Sequence, residues 1–147
     1  MRFDSSRLRR VAALSGWAAA ALVAASAGAA ELARPGEYEW TVRTNDEPPR
    51  TFSSCMTAEA AKMFNGDSRS AREAAEKASQ GRCAIESYEI AGSKVSFRMT
   101  CGEQTMASTV IFHGDSSEGD LTVTQNADGV ARVDRTHTTA RRLGDCK

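Results

Sequence analysis

Four cysteines, and the kind of segment that precedes them, restrict the fold of this 147-residue chain more than any other feature. Residues 1–30 have a basic start, an apolar stretch and a run of small residues, which is the pattern of a secretory signal peptide. Exported cysteines meet an oxidising compartment, so an even number of them indicates disulfides rather than metal ligands or redox catalysts. We therefore predict two disulfides, formed among Cys55, Cys83, Cys101 and Cys146.

The signal-like segment also predicts where the protein works. Its apolar stretch covers residues 11–25, which is shorter than the ~20 residues that cross a bilayer. We therefore expect cleavage after Ala30, or alternatively after Ala27, rather than a membrane anchor. The processed protein is then expected in the periplasm or outside the cell, with no membrane anchor left.

Charge and length limit what residues 31–147 can be. Removal of residues 1–30 takes four arginines and one aspartate from 19 basic and 19 acidic residues, which leaves 15 and 18. No basic patch with interleaved aromatic residues recurs, so we expect no nucleic-acid partner. A chain of this length suits a single compact domain.

Alternation of apolar and polar residues predicts a chain made mostly of strands. Tyr38, Trp40 and Val42 share one face of the first strand, with charged residues on the other face. Glycine- and aspartate-containing turns separate the remaining strands. These strands are expected near residues 51–55, 83–90, 95–101, 106–113, 121–123 and 132–143.

One helical insertion interrupts the strands. Thr57 is a suitable N-cap for a helix over residues 57–65, and good helix formers predict a second helix over residues 68–80. The predicted fold is therefore mainly β with a short helical insertion. We expect an up-and-down antiparallel sheet of about seven strands, curled or closed as a small barrel, with a two-sheet sandwich as the alternative.

The turn between the strands at residues 83–90 and 95–101 bears on disulfide pairing. With a turn at Gly92, Cys83 and Cys101 come opposite each other, which favours a cross-strand bridge. Cys55 and Cys146 would then pair and tie the end of the chain to the strand before the helices. The rival pairing joins Cys55 to Cys83, around the helical insertion, and Cys101 to Cys146.

Several segments, taken in order with the cysteines, resemble a known family. These segments are residues 34–39, 54–60, 95–101, 112–116 with Gly119, and 141–146. Together they resemble the small exported proteins of Gram-negative bacteria grouped as domain-of-unknown-function family 3617. The chain departs from the usual pattern at Glu37-Tyr38 and at Ala58. The resemblance implies a periplasmic β-rich protein and implies no activity.

No arrangement of residues typical of catalysis or metal binding is evident in the sequence. His113 and His137 are the two histidines, and they fall on different predicted strands without a metal-ligand spacing. Asp115, Glu118 and Asp120 form an acidic group that does not match a calcium loop. We therefore predict no catalytic residue, no metal site and no cofactor.

An aromatic set offers the one route from the sequence to a ligand. Tyr38, Trp40, Phe97 and Phe112 recur at strand spacing, which is typical of a packed core. If the barrel is incompletely filled, the same side chains would line an apolar cavity. The sequence thus favours a non-enzymatic module that binds an apolar small molecule or another exported protein. An inhibitor or envelope-stress partner of an exported protein is the second hypothesis, and an enzyme is the third.

Overall fold

The computed structural model describes residues 31–127 and 129–147, so the predicted signal peptide and its cleavage site lie outside the described residues. No helix in the described part of the chain is long and apolar enough to cross a bilayer. Two α-helices lie between the second and third strands, with a 3₁₀ turn at Lys62–Phe64 between them. The elements in chain order are β1 Gly36–Thr44, β2 Arg50–Met56, α1 Ala58–Ala61, α2 Ser68–Ser79, β3 Ala84–Ala91, β4 Lys94–Cys101, β5 Gln104–Phe112, β6 Ser116–Ala127 and β7 Val130–Gly144.

The strands form one antiparallel sheet in the order β2-β1-β7-β6-β5-β4-β3. The prediction of a seven-stranded, mainly antiparallel β fold with a helical insertion is confirmed. The closed-barrel form of that prediction is wrong, because β2 and β3 are the two edges of the sheet and do not pair. The strand order is that of an up-and-down barrel opened between these two strands.

The edge of β3 indicates why the barrel stays open. Ser68 Oγ in α2 accepts a hydrogen bond of 2.8 Å from the backbone N–H of Ile90. Arg72 of the same helix donates to the Ile85 carbonyl at 2.6 Å. Side chains of α2 therefore occupy edge groups of β3 that a pairing strand would use. The helical segment that joins β2 to β3 fills the place where the ring would close.

The two faces of the sheet differ in chemistry. The face that carries Tyr38, Val95, Phe112 and Ala140, here called the inner face, holds most of the buried apolar residues. Met56 and Ala61 complete this core from the end of β2 and from α1. The outer face carries mostly threonine and charged residues. The core is therefore one-sided and lies between the inner face and the helical segment.

Capping residues fix where the helices begin and end. The Thr57 hydroxyl accepts from the Ala60 N–H at 3.1 Å, and Asp67 accepts from two backbone N–H groups at the start of α2. α2 ends at Gln80 in a left-handed conformation, just before Gly81. The buried residues of α2 are both alanines, so the helix approaches β3 closely.

The disulfides follow the predicted pairing. Cys83 and Cys101 are joined with Cα atoms 4.2 Å apart, and Cys55 is joined to Cys146 with Cα atoms 5.6 Å apart. The rival pairing is wrong, because the β3–β4 hairpin brings Cys83 beside Cys101. The second bridge crosses the start of β1, where Glu37 pairs with Cys55 on one side and Gly144 on the other.

Candidate functional site

A partly open groove lies on the inner face, with a cavity volume of about 210 Å³. Trp40 of β1 and Phe97 of β4 both line it, although three strands separate β1 from β4 in the sheet. The sheet therefore curls around the groove. Phe64 of the 3₁₀ turn lines the same space and places the helical segment beside it.

Small residues occupy inner-face positions at the middle of the sheet. Gly119 pairs with Thr138 on one side and with Val110 on the other. A Cβ atom at Gly119 would come within 2.8 Å of the Thr109 carbonyl oxygen and 3.0 Å of Val110 Cγ2. Because β5 passes so close to position 119, only glycine fits there without a clash. Together with Ser108 and Ser117, which also line the groove, Gly119 leaves the space unfilled.

Aromatic rings form much of the groove wall. Phe64 packs against Phe112 with ring centroids 5.4 Å apart. Phe97 stacks on Tyr88 at 5.7 Å. These contacts fix the walls on the β4–β5 side, so the apolar surface is in place without a ligand.

Three of the four aromatic residues proposed as a lining from the sequence lie at the groove. They are Trp40, Phe97 and Phe112. Tyr38 does not line it. Its ring is buried with 5% exposure, 5.8 Å from the Trp40 ring, and its hydroxyl donates to the Arg34 carbonyl at 2.8 Å.

Sequence reasoning missed much of the groove. Phe64 falls within the helix predicted over residues 57–65, and that prediction did not place it at a cavity. Gly119 and Leu121 lie on a different strand from the aromatic residues. Strand register brings them to the same groove, and the sequence does not reveal that register. Their alternation with Asp120 and Thr122 is the one local sign that they face inward.

The indole N–H of Trp40 is buried and has no hydrogen-bond partner among the residues that the structure describes. An unpaired buried donor costs about 1–3 kcal/mol of folding free energy. Such a group in a native fold calls for an explanation, of which a functional role is one.

The groove interior is otherwise nearly free of charge. Asp120 is the single ionisable residue among the described lining residues. Its side chain alternates with those of Gly119 and Leu121, so its carboxylate lies on the outer face, where it contacts His137 Nδ1 at 2.9 Å. Beside the groove wall, burial raises the pKa of Tyr88 to about 12. Tyr88 is thus neutral at physiological pH, and its hydroxyl donates a hydrogen bond to the Met63 carbonyl.

The two histidines lie outside the groove. His113 contacts Glu118 at 3.4 Å and His137 contacts Asp120, and all four side chains are at least 43% exposed. Within residues 31–127 and 129–147, no three or more His, Cys, Asp or Glu side chains gather closely enough to hold a metal ion. The structure does not bring His113 and His137 to a common pocket.

Asp115 and several other charged residues make structural contacts at the end of the sheet near Cys146. Asp115 forms an ion pair with Arg34. Arg142 donates to the Pro35 carbonyl through Nε at 3.1 Å and Nη2 at 2.9 Å, and it also contacts Asp145. These contacts hold the segment before β1 against β7.

A comparison with known families decides where the chain belongs. The model of the family described as "Protein of unknown function (DUF3617)" matches residues 33–146. The chain belongs to the DUF3617 family. No curated protein and no solved structure matches it significantly. The DUF3617 match spans every described strand and both disulfides, so the groove lies wholly within the family's domain.

Proposed function

We propose that this DUF3617 protein is an exported, periplasmic, non-enzymatic module that binds a small apolar molecule in the inner-face groove. The observation that carries the proposal is the groove itself, which has aromatic walls, a floor of small residues and one partly open side. Concave, mostly apolar sites with a few polar groups are the usual form of small-molecule sites in proteins.

The size of the groove favours a small occupant. Its volume of about 210 Å³ lies between an apolar cavity of about 150 Å³ that holds benzene and the ~300 Å³ at which drug-sized pockets begin. A single ring, or a short branched chain, fits this range. A long acyl chain would extend beyond the groove.

The assignment to an exported compartment rests on two features. Two disulfides with no free cysteine among the described residues are consistent with an oxidising environment. Residues 1–30 have the pattern of a secretory signal. The non-enzymatic part is supported by the outer-face position of both histidines, each beside one exposed carboxylate.

Fluorobenzene tests the proposal directly. It is one apolar ring, and its ¹⁹F signal reports binding without a label on the protein. We expect the exported, processed protein to bind it with a Kd of about 1 mM or tighter, which corresponds to −4.1 kcal/mol. Trp40 emission should change in parallel, because this residue is the only tryptophan outside the predicted signal peptide and lines the groove.

Two leucine variants on neighbouring positions of β5 locate the site. Ser108→Leu puts an isopropyl group in place of a hydroxyl on the groove floor and should abolish binding. Thr109→Leu adds apolar volume on the outer face and should leave binding intact. Absence of fluorobenzene binding by the unmodified protein, or equal binding by both variants, would contradict the proposal.

A further inference from the structure

The two edges of the sheet differ in what covers them. At β3, side chains of α2 bond the backbone groups of Ile85 and Ile90. At β2, no hydrogen bond among the described residues reaches the edge that faces away from β1, and residues 50–55 are all exposed. β2 is therefore the edge strand that the described part of the chain leaves open.

β2 also lacks the features that usually stop an edge strand from pairing. Natural edge strands are protected by prolines, lysines or bulges. Residues 50–56 contain no proline or lysine, carry a single charge at Arg50, and pair with β1 without a register shift. Phe52 pairs with Trp40, so it lies on the inner face, and it is 51% exposed. This edge therefore offers backbone groups and an apolar side chain to another strand.

We propose that β2 pairs with β2 of a second copy of the chain, antiparallel and about a two-fold axis, so that two sheets join into one. The proposal goes beyond the groove function and does not rest on it. An antiparallel pair of identical strands is self-complementary, so the same edge serves both copies. Because α2 covers β3, each copy has one open edge strand, and the assembly closes at two copies instead of growing into a fibre.

The residues of β2 favour one register of this pairing. With the axis at Phe52, the two Phe52 rings lie opposite each other, and Thr51 of each copy lies opposite Ser53 of the other. Aromatic pairs and pairs of hydroxyl residues are favourable cross-strand neighbours. Arg50 lies opposite Ser54, so no like charges meet. One short strand pair buries little area, so we expect a weak dimer with a Kd on the order of 100 μM.

Sedimentation equilibrium of the processed protein tests the association. The average mass should rise toward that of two chains as the concentration increases from about 10 μM to about 1 mM. Phe52→Lys puts two lysines opposite each other and should weaken the association at least about tenfold. Val133→Lys is the matched control, because Val133 is an apolar residue with 41% exposure on β7, where it pairs with β6. A protein that stays monomeric up to about 1 mM, or equal weakening by both substitutions, would overturn the proposal.

Hydrogen exchange of the unmodified protein locates the interface without any substitution. The amides of β2 that point away from β1 should exchange more slowly at about 1 mM than at about 10 μM. Slow exchange of these amides at both concentrations would mean that another group covers the edge. A concentration-dependent change on a different element would place the interface elsewhere. Either result overturns the proposal, even if Phe52→Lys does not fold.

A pair of cysteine variants tests the register. Oxidation of Phe52→Cys should join two copies through the new cysteines. Ser54→Cys should not cross-link, because the two positions 54 would lie about 14 Å apart, which is too far for a disulfide. Cross-linking of Ser54→Cys but not of Phe52→Cys would show that the register is wrong.

Discussion

Single side chains tie the helical segment to the sheet, and Tyr88 is the clearest example. Its ring stacks on Phe97 at the groove wall, and its hydroxyl donates to the Met63 carbonyl in the 3₁₀ turn. The sequence places Tyr88 on a strand, but the contact with Met63 depends on how the helical segment crosses the inner face. The same holds for Tyr38. Strand alternation puts Tyr38 on the face of Trp40, yet it does not reveal that Tyr38 packs beside the groove rather than in its wall.

Tyr88→Phe removes this hydrogen bond and keeps the stacked ring. We expect the free energy of unfolding to fall by ~1 kcal/mol at neutral pH, the usual net contribution of such a bond. Urea unfolding followed by circular dichroism measures the change. A variant as stable as the unmodified protein would show that the Met63 contact contributes nothing.

Alkaline pH should act on the same bond. Burial raises the pKa of Tyr88 from 10.0 to about 12, so the fold favours the protonated hydroxyl. The resulting stabilisation is fully present below pH 10 and is lost as the pH rises through about 12. Absorbance at 295 nm should show a tyrosine that ionises near pH 12 and that is missing in Tyr88→Phe. The stability difference between the two proteins should shrink over this pH range. A difference that stays constant across it would contradict the assignment.

At the scale of elements, α2 acts as an edge cover for β3. Its sequence predicts a helix from residue composition alone, and its alanine face shows that it packs closely against something. Nothing in the sequence predicts that Ser68 and Arg72 bond backbone groups of Ile90 and Ile85. These contacts join residues of different elements and occupy the edge of β3 at which the sheet would close. For this reason the strands were predictable and the open edge was not.

Ser68→Ala tests the edge cover. Without the hydroxyl, the Ile90 N–H loses its acceptor, and we expect its amide hydrogen to exchange at least about tenfold faster, in line with a loss of ~1.4 kcal/mol in local opening free energy. Ser70→Ala is the matched control, because the Ser70 side chain bonds within the helix terminus, to Asp67. Equal exchange at Ile90 in both variants would argue against a role for α2 at this edge.

At the scale of the whole molecule, two disulfides close loops of very different length. Cys55–Cys146 spans 91 positions and Cys83–Cys101 spans 18. The shorter bridge could be predicted from one hairpin turn, since the turn fixes which residues face each other. The longer bridge followed by elimination, because its geometry depends on β1 lying between β2 and β7. The position of the groove could not be predicted, since it needs the register of six strands at once.

The loop lengths predict unequal effects of removing the bridges. In the chain-entropy model the longer loop is worth about 4.6 kcal/mol and the shorter one about 3.2 kcal/mol. Replacing Cys55 and Cys146 with serine should therefore destabilise the protein more than replacing Cys83 and Cys101. Urea midpoints of the two double variants provide the comparison. The reverse order would mean that strain or residual structure, rather than loop entropy, controls the effect.

The opening between β2 and β3 has a consequence for the interior. A closed ring of hydrogen-bonded strands has a fixed circumference, so its bore is set by the number and tilt of its strands. Here the circumference is interrupted at one place, and contacts between the helical segment and β3 stand where strand pairing is missing. The width of the space that the curled sheet encloses therefore depends on a few contacts of the helical segment. A change in these contacts would not break any strand pairing. A fold of this kind can change the width of its interior by substitutions in one segment and leave the rest of the sheet unaltered.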